Sequence, residues 1–156
     1  MSREKLLAGE AGKNVIQKFR ARNTVKGLHH QDLKEMSLHP WEDRGGNSIW
    51  FDTDTKAMEA HLSEIPAGEH KRAHRHFHEA LIYIVRGQGY SLIWAEGEEP
   101  QKYEWAEGDL ISIPVWYWHQ HFNTDPGEPA RYLAITNINH MDALGFFQHE
   151  ELPWKE

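Results

Sequence analysis

Short apolar segments separated by turn residues fill the chain from Ser48 onward. The run ALIYIVRG (80–87) is continuously apolar up to its arginine, which is typical of a strand buried on both faces. YSLIWA (90–95) follows it across Gly-Gln-Gly, so the two segments predict a hairpin. Many short strands with glycine and proline turns and little helix predict an all-β sandwich or barrel. Further strands are predicted at 48–53, 57–66, 102–109, 110–114, 116–122 and 130–138.

The two ends of the chain carry weaker patterns than the middle. Residues 1–47 mix charge, weak helical periodicity and a glycine-rich loop, and predict a short N-terminal arm that is helical or irregular. Residues 139–156 predict a short helical or irregular tail. The barrel itself is expected over 48–138. A chain of 156 residues has the size of one domain, so we expect a single domain overall.

Composition and charge exclude several classes of function. The formal charge is -7 and no basic run is present, so we expect no nucleic-acid partner. No apolar run approaches membrane-spanning length, and the N-terminus lacks the apolar core of a signal peptide, so no membrane partner is expected. Cysteine is absent, which fits a cytoplasmic location and leaves His, Asp and Glu as ligands for any metal.

Histidines recur at every second position just before the apolar run at residue 80. They are His74, His76 and His78, and a second pair follows at His119 and His121. Residues i and i+2 of a strand point to the same face, so the two pairs would face one interior if their strands are neighbours. Imidazoles on a rigid sheet suit Fe, Ni, Cu or Zn. The alternative is a set of surface histidines, which two separate pairs beside apolar strands disfavour.

Two segments resemble the two motifs of the cupin superfamily. From Gly68 to Gly87 the chain has glycine, five residues, His-x-His, a short gap and an apolar strand that ends on glycine. GDLISIPVWYWHQHFN places Pro114, His119 and Asn123 as the second motif does. The resemblance implies the cupin double-stranded β-helix, a small jelly-roll barrel with a metal inside it.

One position departs from the general cupin pattern. Most cupins place a metal-binding glutamate seven residues before the closing glycine, and here that position is Ala80. Glu79 is one residue away and has the wrong parity in a regular strand, although a turn at residues 77–78 would bring it in as a ligand. Otherwise the resemblance implies that the ligands are His74, His76 and His119.

The alanine variant is similar to the gentisate 1,2-dioxygenases and the related 1-hydroxy-2-naphthoate and salicylate ring-cleaving enzymes. The similar segments are AHRHFHEAL and IPVWYWHQH. This resemblance implies Fe(II), a hydroxylated aromatic acid as substrate, and O₂. His78 falls where those enzymes have a polar side chain that contacts the substrate, and His121 falls on a histidine behind the ligands. Both are candidate catalytic residues, since imidazole titrates near neutral pH. A core histidine bonded to a backbone carbonyl is the alternative for His121.

Three neutral imidazoles suit that chemistry because they leave the metal its full charge. A substrate that chelates through an ionised hydroxyl and a neighbouring carboxylate compensates this charge, and the protein contributes templating and a dry pocket. Such a carboxylate favours a nearby cation, for which Arg72, Arg86 and Arg131 are candidates.

Other functions use the same ligands. A cupin lyase, isomerase or decarboxylase with Ni, Mn or Zn would bind its metal in this way, and so would a non-catalytic small-molecule-binding cupin. The ring-cleaving enzymes usually join two cupin barrels in one chain, whereas this chain has room for one. We therefore expect a homodimer, in which exposed sheet edges pair with a second copy.

Overall fold

The computed structural model describes residues 9–154, with side chains from residue 11 onward. The parts of the predicted arm and tail at residues 1–8 and 155–156 lie outside the described residues. The described elements are α1 Gly9–Arg22, β1 Thr24–Lys26, β2 His39–Pro40, β3 Asn47–Asp52, β4 Glu59–Ile65, β5 His74–His76, β6 Ala80–Arg86, β7 Gln88–Trp94, β8 Gln101–Ala106, β9 Leu110–Ile113, β10 Trp118–Asn123, β11 Ala130–Thr136, α2 Ile138–Ala143 and β12 His149–Glu151.

The strands form two sheets that enclose the core, which confirms the predicted all-β jelly-roll. One sheet has the order β1-β3-β4-β11-β6-β9, with β2 paired to β3, and the other has the order β12-β5-β10-β7-β8. All pairs are antiparallel except β1 with β3. Inward side chains of both sheets, such as Ile82, Ile113 and Trp105, make the main apolar cluster. The site described below lies among the inward side chains of β5 and β10.

Strand β6 corrects one prediction from the sequence. Its continuous apolar run predicted burial on both faces, but the structure buries Ala80, Ile82 and Ile84 and leaves Leu81 48 % and Tyr83 45 % exposed. The strand therefore alternates like its neighbours. Its outer face is apolar, exposed at Leu81 and Tyr83, and partly covered at Val85, which packs against another apolar cluster. An apolar run alone cannot show which face of a sheet is covered.

Two residues of the cupin-like motifs stabilise the turns and loops at strand ends. Gly87 has φ of 92°, and a Cβ there would lie 2.8 Å from the Cα of Ala130, so the turn between β6 and β7 requires glycine. Asn123 is buried, and its Nδ2 donates to the carbonyls of Ile65, Pro66 and Glu128. This amide joins the end of β10 to the loops beside it.

Both ends of the chain take part in the sheets. Strand β1 extends the larger sheet, and β12 pairs with β5, so strands lie outside residues 48–138. The expected boundaries of the barrel at residues 48 and 138 stay a prediction.

Helix α1 lies across one end of the barrel. Ile16 and Phe19 pack with Trp41, Trp50 and Ile138 of α2, and the Phe19 and Trp41 rings stack at 4.3 Å. The helix therefore covers this end with apolar side chains. Neither described helix is long and apolar enough to cross a membrane.

Candidate metal centre

Three histidines meet on the inner face of the smaller sheet. His74 of β5 is the cross-strand partner of His119 of β10, and His76 lies two residues beyond His74 on the same face. One nitrogen from each ring lies within 4.8 Å of the other two, and all three side chains are buried. Period two on β5 and the antiparallel register therefore bring together the three ligands that the resemblance implied.

Each of these imidazoles is held in one tautomer by the backbone. A carbonyl oxygen can only accept, so the Nδ1 of each ring must carry the proton. The acceptors are Arg72 O at 3.2 Å from His74, His78 O at 2.8 Å from His76, and Tyr117 O at 3.0 Å from His119. The Nε2 lone pairs of His76 and His119 are left free, which is the arrangement that metal-binding histidines use. At His74, Nη2 of Arg44 lies 2.8 Å from Nε2, so Arg44 must move before this nitrogen can bind a metal.

Burial keeps the three rings neutral. It lowers the pKa of His76 to about 3 and holds the pKa values of His74 and His119 well below the ordinary value of 6.5. Neighbouring charges add to this, chiefly the Arg44 guanidinium at His74. Three neutral Nε2 donors fit a divalent first-row metal such as iron, zinc or nickel.

Glu79 lies away from this cluster. Its side chain is exposed, and its backbone N–H donates to Oδ1 of Asn137 at 2.9 Å. The bend at residues 77–78 turns His78 inward instead. The described cluster of ligand atoms thus consists of imidazoles alone.

The two histidines proposed from the sequence as catalytic residues both line the cavity beside the cluster. His78 stacks on His76 with ring centroids 3.7 Å apart, and its buried Nδ1 has no hydrogen-bond partner within the described residues. Nδ1 of His121 lies 2.7 Å from Oγ of Ser91, which also accepts from Nε1 of Trp105. Burial lowers the pKa of His121 to about 3. His121 therefore bonds to a side chain and not to a backbone carbonyl, which was the alternative considered from the sequence.

The three arginines considered from the sequence do not line the cavity. Arg86 and Arg131 both pair with Glu64, and Arg72 contacts Glu151 at 3.4 Å. Two other cations line it instead. They are Arg44, whose Nη2 lies 2.8 Å from Nε2 of His74, and Lys71.

Comparison with known proteins agrees with this geometry. The family model described as "Cupin domain" matches residues 61–136, which include all three clustered histidines. This segment belongs to the cupin superfamily. The G106A mutant of salicylate 1,2-dioxygenase from Pseudoaminobacter salicylatoxidans has a similar fold, with a TM-score of 0.61 over 70 % of this cupin at 14 % identity and 30 % of that chain covered.

Two curated relatives are more similar in sequence. A gentisate 1,2-dioxygenase of Haloferax sp is 32 % identical over 95 residues, which cover 58 % of this cupin and 25 % of the relative. A 1-methylthio-D-xylulose 5-phosphate methylsulfurylase of Rhodospirillum rubrum is 29 % identical over 89 residues, which cover 57 % of this cupin and 53 % of the relative. This cupin therefore matches a quarter to about half of the length of these two relatives.

Sequence reasoning missed two residues directly behind the ligands. His149 and Glu151 of β12 are fully buried, and Nε2 of His149 lies 2.8 Å from Oε1 of Glu151. They are the cross-strand partners of His76 and His74. The period-two spacing of His149 and Glu151 was the available signal, but it lies in a segment without an apolar strand pattern.

The cavity is small in this conformation. It measures about 40 Å³ and is bounded by the histidines, by Tyr132 and Ile82 of the barrel, and by Ile16 of α1. An aromatic ring needs a cavity of about 150 Å³. A ring-sized ligand therefore requires α1 or the Arg44 side chain to move.

Proposed function

We propose that this cupin binds Fe(II) through His74, His76 and His119 and cleaves the ring of a hydroxylated aromatic acid with O₂. One observation carries the proposal: the cluster consists of three neutral imidazoles and contains no carboxylate. When bound, Fe(II) would supply a Lewis-acid and redox centre for substrate and oxygen. A site without a carboxylate ligand suits a chelating substrate that brings its own negative charge.

The surrounding side chains have separate roles in this proposal. Ile82, Ala134 and Tyr132 give apolar and aromatic surface for a flat ring, and the apolar side chains of α1 exclude water from it. His78 and His121 would accept a proton from a bound ligand, since both are neutral imidazoles on the cavity wall. The ring of Tyr132 lies 5.1 Å from that of His121 and helps to position it.

The experiment is oxygen uptake by protein loaded anaerobically with Fe(II). Gentisate, salicylate, 1-hydroxy-2-naphthoate and catechol are supplied in turn, and ring-opened products are followed by absorbance. We expect uptake with at least one compound and none with the His119→Ala control. No uptake with any of them, together with tightly bound Ni, Mn or Zn in the natively purified protein, would contradict the proposal.

A second candidate is a cupin lyase, isomerase or decarboxylase that uses Ni, Mn or Zn. The similarity to the methylsulfurylase favours it, because this cupin covers 53 % of that relative and only 25 % of the gentisate enzyme. The same three histidines would bind these metals. Metal analysis of the purified protein separates this candidate from the first. A non-catalytic binding protein would show no turnover with Fe(II) and none with Ni, Mn or Zn.

We also infer a homodimer. Leu81, Tyr83, Leu110 and Ile135 are exposed and adjacent on the outer face of β6, β9 and β11. An apolar sheet face of this kind is typical of an interface, and a second copy would cover it. The cytoplasmic location expected from the lack of cysteine stays a prediction.

A further inference from the structure

Lys71 is a lysine in the interior of the molecule. Its side chain is 1 % exposed and lines the same cavity as the histidines. Its Nζ donates to the carbonyl of Gly45 at 2.5 Å, and no ion pair joins it to a carboxylate within residues 9–154. Lysine is almost never fully buried unless it is paired, because desolvating the ammonium is costly. An amine in this position therefore calls for an explanation beyond packing.

Arg44 brings a second cation to the same wall. It is 8 % exposed, its guanidinium lies 5.3 Å over the ring of Trp41, and its Nε lies 3.4 Å from Oε1 of Glu151. Arg44 directly precedes Gly45, whose carbonyl accepts from Lys71, so one loop positions both groups. The charge of Arg44 also contributes to the lowered pKa of Lys71, after the burial that is its main cause.

The charged side chains of the cavity wall are basic, whereas the net charge of the protein is negative. The chain carries a formal charge of -7, yet no Asp or Glu occurs among the described residues that line the cavity. The lining consists of six histidines and of apolar and hydroxyl side chains around two basic side chains, Arg44 and Lys71. Low-dielectric walls strengthen the attraction of such groups for an anion.

We propose that Lys71 and Arg44 form an anion subsite beside the three histidines, which selects ligands with a carboxylate or a similar anionic group. The inference rests on the proposed function for the identity of the ligand, an aromatic acid. Lys71 uses one of its three donors on Gly45, which leaves two for ligand oxygens. Arg44 supplies further N–H donors once its Nη2 leaves His74.

A purely structural role for Lys71 makes a different prediction. A Cβ on Gly46 would lie 3.1 Å from Nζ, and Gly46 has φ of 73°, so the amine fits closely against this turn. If Lys71 only held the turn, its replacement would weaken every ligand alike. If it binds the anion, only charged ligands lose affinity.

The test compares salicylate with its neutral amide, salicylamide. Both bind to Zn(II)-loaded protein without turnover, and calorimetry gives each Kd. We expect Lys71→Met to weaken salicylate about tenfold to a hundredfold, as for a lost hydrogen bond to a charged group, and to leave salicylamide within about twofold. Arg44→Met should act in the same direction. Equal losses for the two ligands would overturn the subsite.

Controls separate binding from folding. Lys102→Met removes an exposed lysine and should change neither Kd. Lys71→Met should melt at the same temperature as the wild type or above it, because it removes a buried charge, and should keep its zinc. A lower melting temperature with equal loss of both ligands would again indicate the structural role.

Failure of the proposed function leads to a distinct result. If the zinc-loaded protein binds no aromatic acid, the ring-cleavage proposal fails, and the subsite is then judged with formate and inorganic phosphate. Millimolar amounts of either anion should raise the melting temperature of the wild type more than that of Lys71→Met. An equal rise in both proteins would overturn the subsite as well.

Discussion

The buried neutral histidines make the metal-free protein sensitive to mild acid. His76 and His121 have pKa values of about 3 in the folded protein, against an ordinary value of 6.5. Below pH 6.5 the unfolded chain binds protons at both residues and the folded protein does not. Because the folded pKa values are depressed, the stabilisation is complete above pH 6.5 and is lost as the pH falls toward 3.

The size of this effect follows from linkage. Between pH 6.5 and 5.5, a histidine that titrates only in the unfolded state lowers the free energy of unfolding by about 1 kcal/mol. His76 and His121 together give about 2 kcal/mol. The pKa values of His74, His78, His119 and His149 are also lowered by burial, so this figure is a lower bound.

The assay is urea unfolding in the presence of a chelator at pH 7.5, 6.5 and 5.5, at constant ionic strength. For these two histidines the free energy of unfolding should fall by about 0.7 kcal/mol from pH 7.5 to 6.5 and by about 2 kcal/mol from pH 6.5 to 5.5, and the other buried histidines add to both steps. His121→Phe should show a weaker pH dependence, and His39→Gln, at an exposed position, should match the wild type. A flat profile from pH 7.5 to 5.5 would show that the rings are not held neutral and would refute the reasoning.

Three further outcomes are expected. His119→Ala should lose most of the bound metal, whereas Glu79→Gln should keep it, and metal analysis showing the reverse would replace the three-histidine site with one that includes the glutamate. Lys13 of α1 and Asp142 of α2 form an ion pair at 3.1 Å, so cysteines at both positions allow the two helices to be cross-linked. The Lys13→Cys/Asp142→Cys variant should stop binding aromatic acids when a cleavable bismaleimide links the thiols and should bind them again after cleavage. Full binding in the linked state would show that α1 need not move. Light scattering at micromolar concentration should give a dimer for the wild type and a monomer for Leu110→Lys, and a monomeric wild type would refute the proposed interface.

The ligand cluster could be predicted from the sequence because strand period two converts directly into a shared face. His74 and His76 needed only that rule, and the second motif added His119. The same parity argument placed Glu79 outside, where its side chain is exposed. These features depend on local geometry, which neighbouring residues determine.

The charged wall of the cavity could not be predicted in this way. Lys71 lies between His70 and Arg72 in a polar turn, a setting that normally indicates a solvated side chain. Its burial depends on the loop at residues 41–46, which packs on it from a distant part of the chain. Likewise, the apolar run of β6 did not show that α1 would cover the end of the barrel. Nor did it show that Leu81 and Tyr83, on the outer face of β6, would be exposed.

The cross-strand row of Glu151, His74 and His119 has a consequence for folding kinetics. The three residues belong to strands that are far apart in the chain and meet only when β12, β5 and β10 have all paired. Non-local strand pairing is slow, because the loops between the strands must close first. Metal binding during refolding should therefore come after sheet structure first appears. The rate of metal binding would then report the rate at which the smaller sheet completes its pairing.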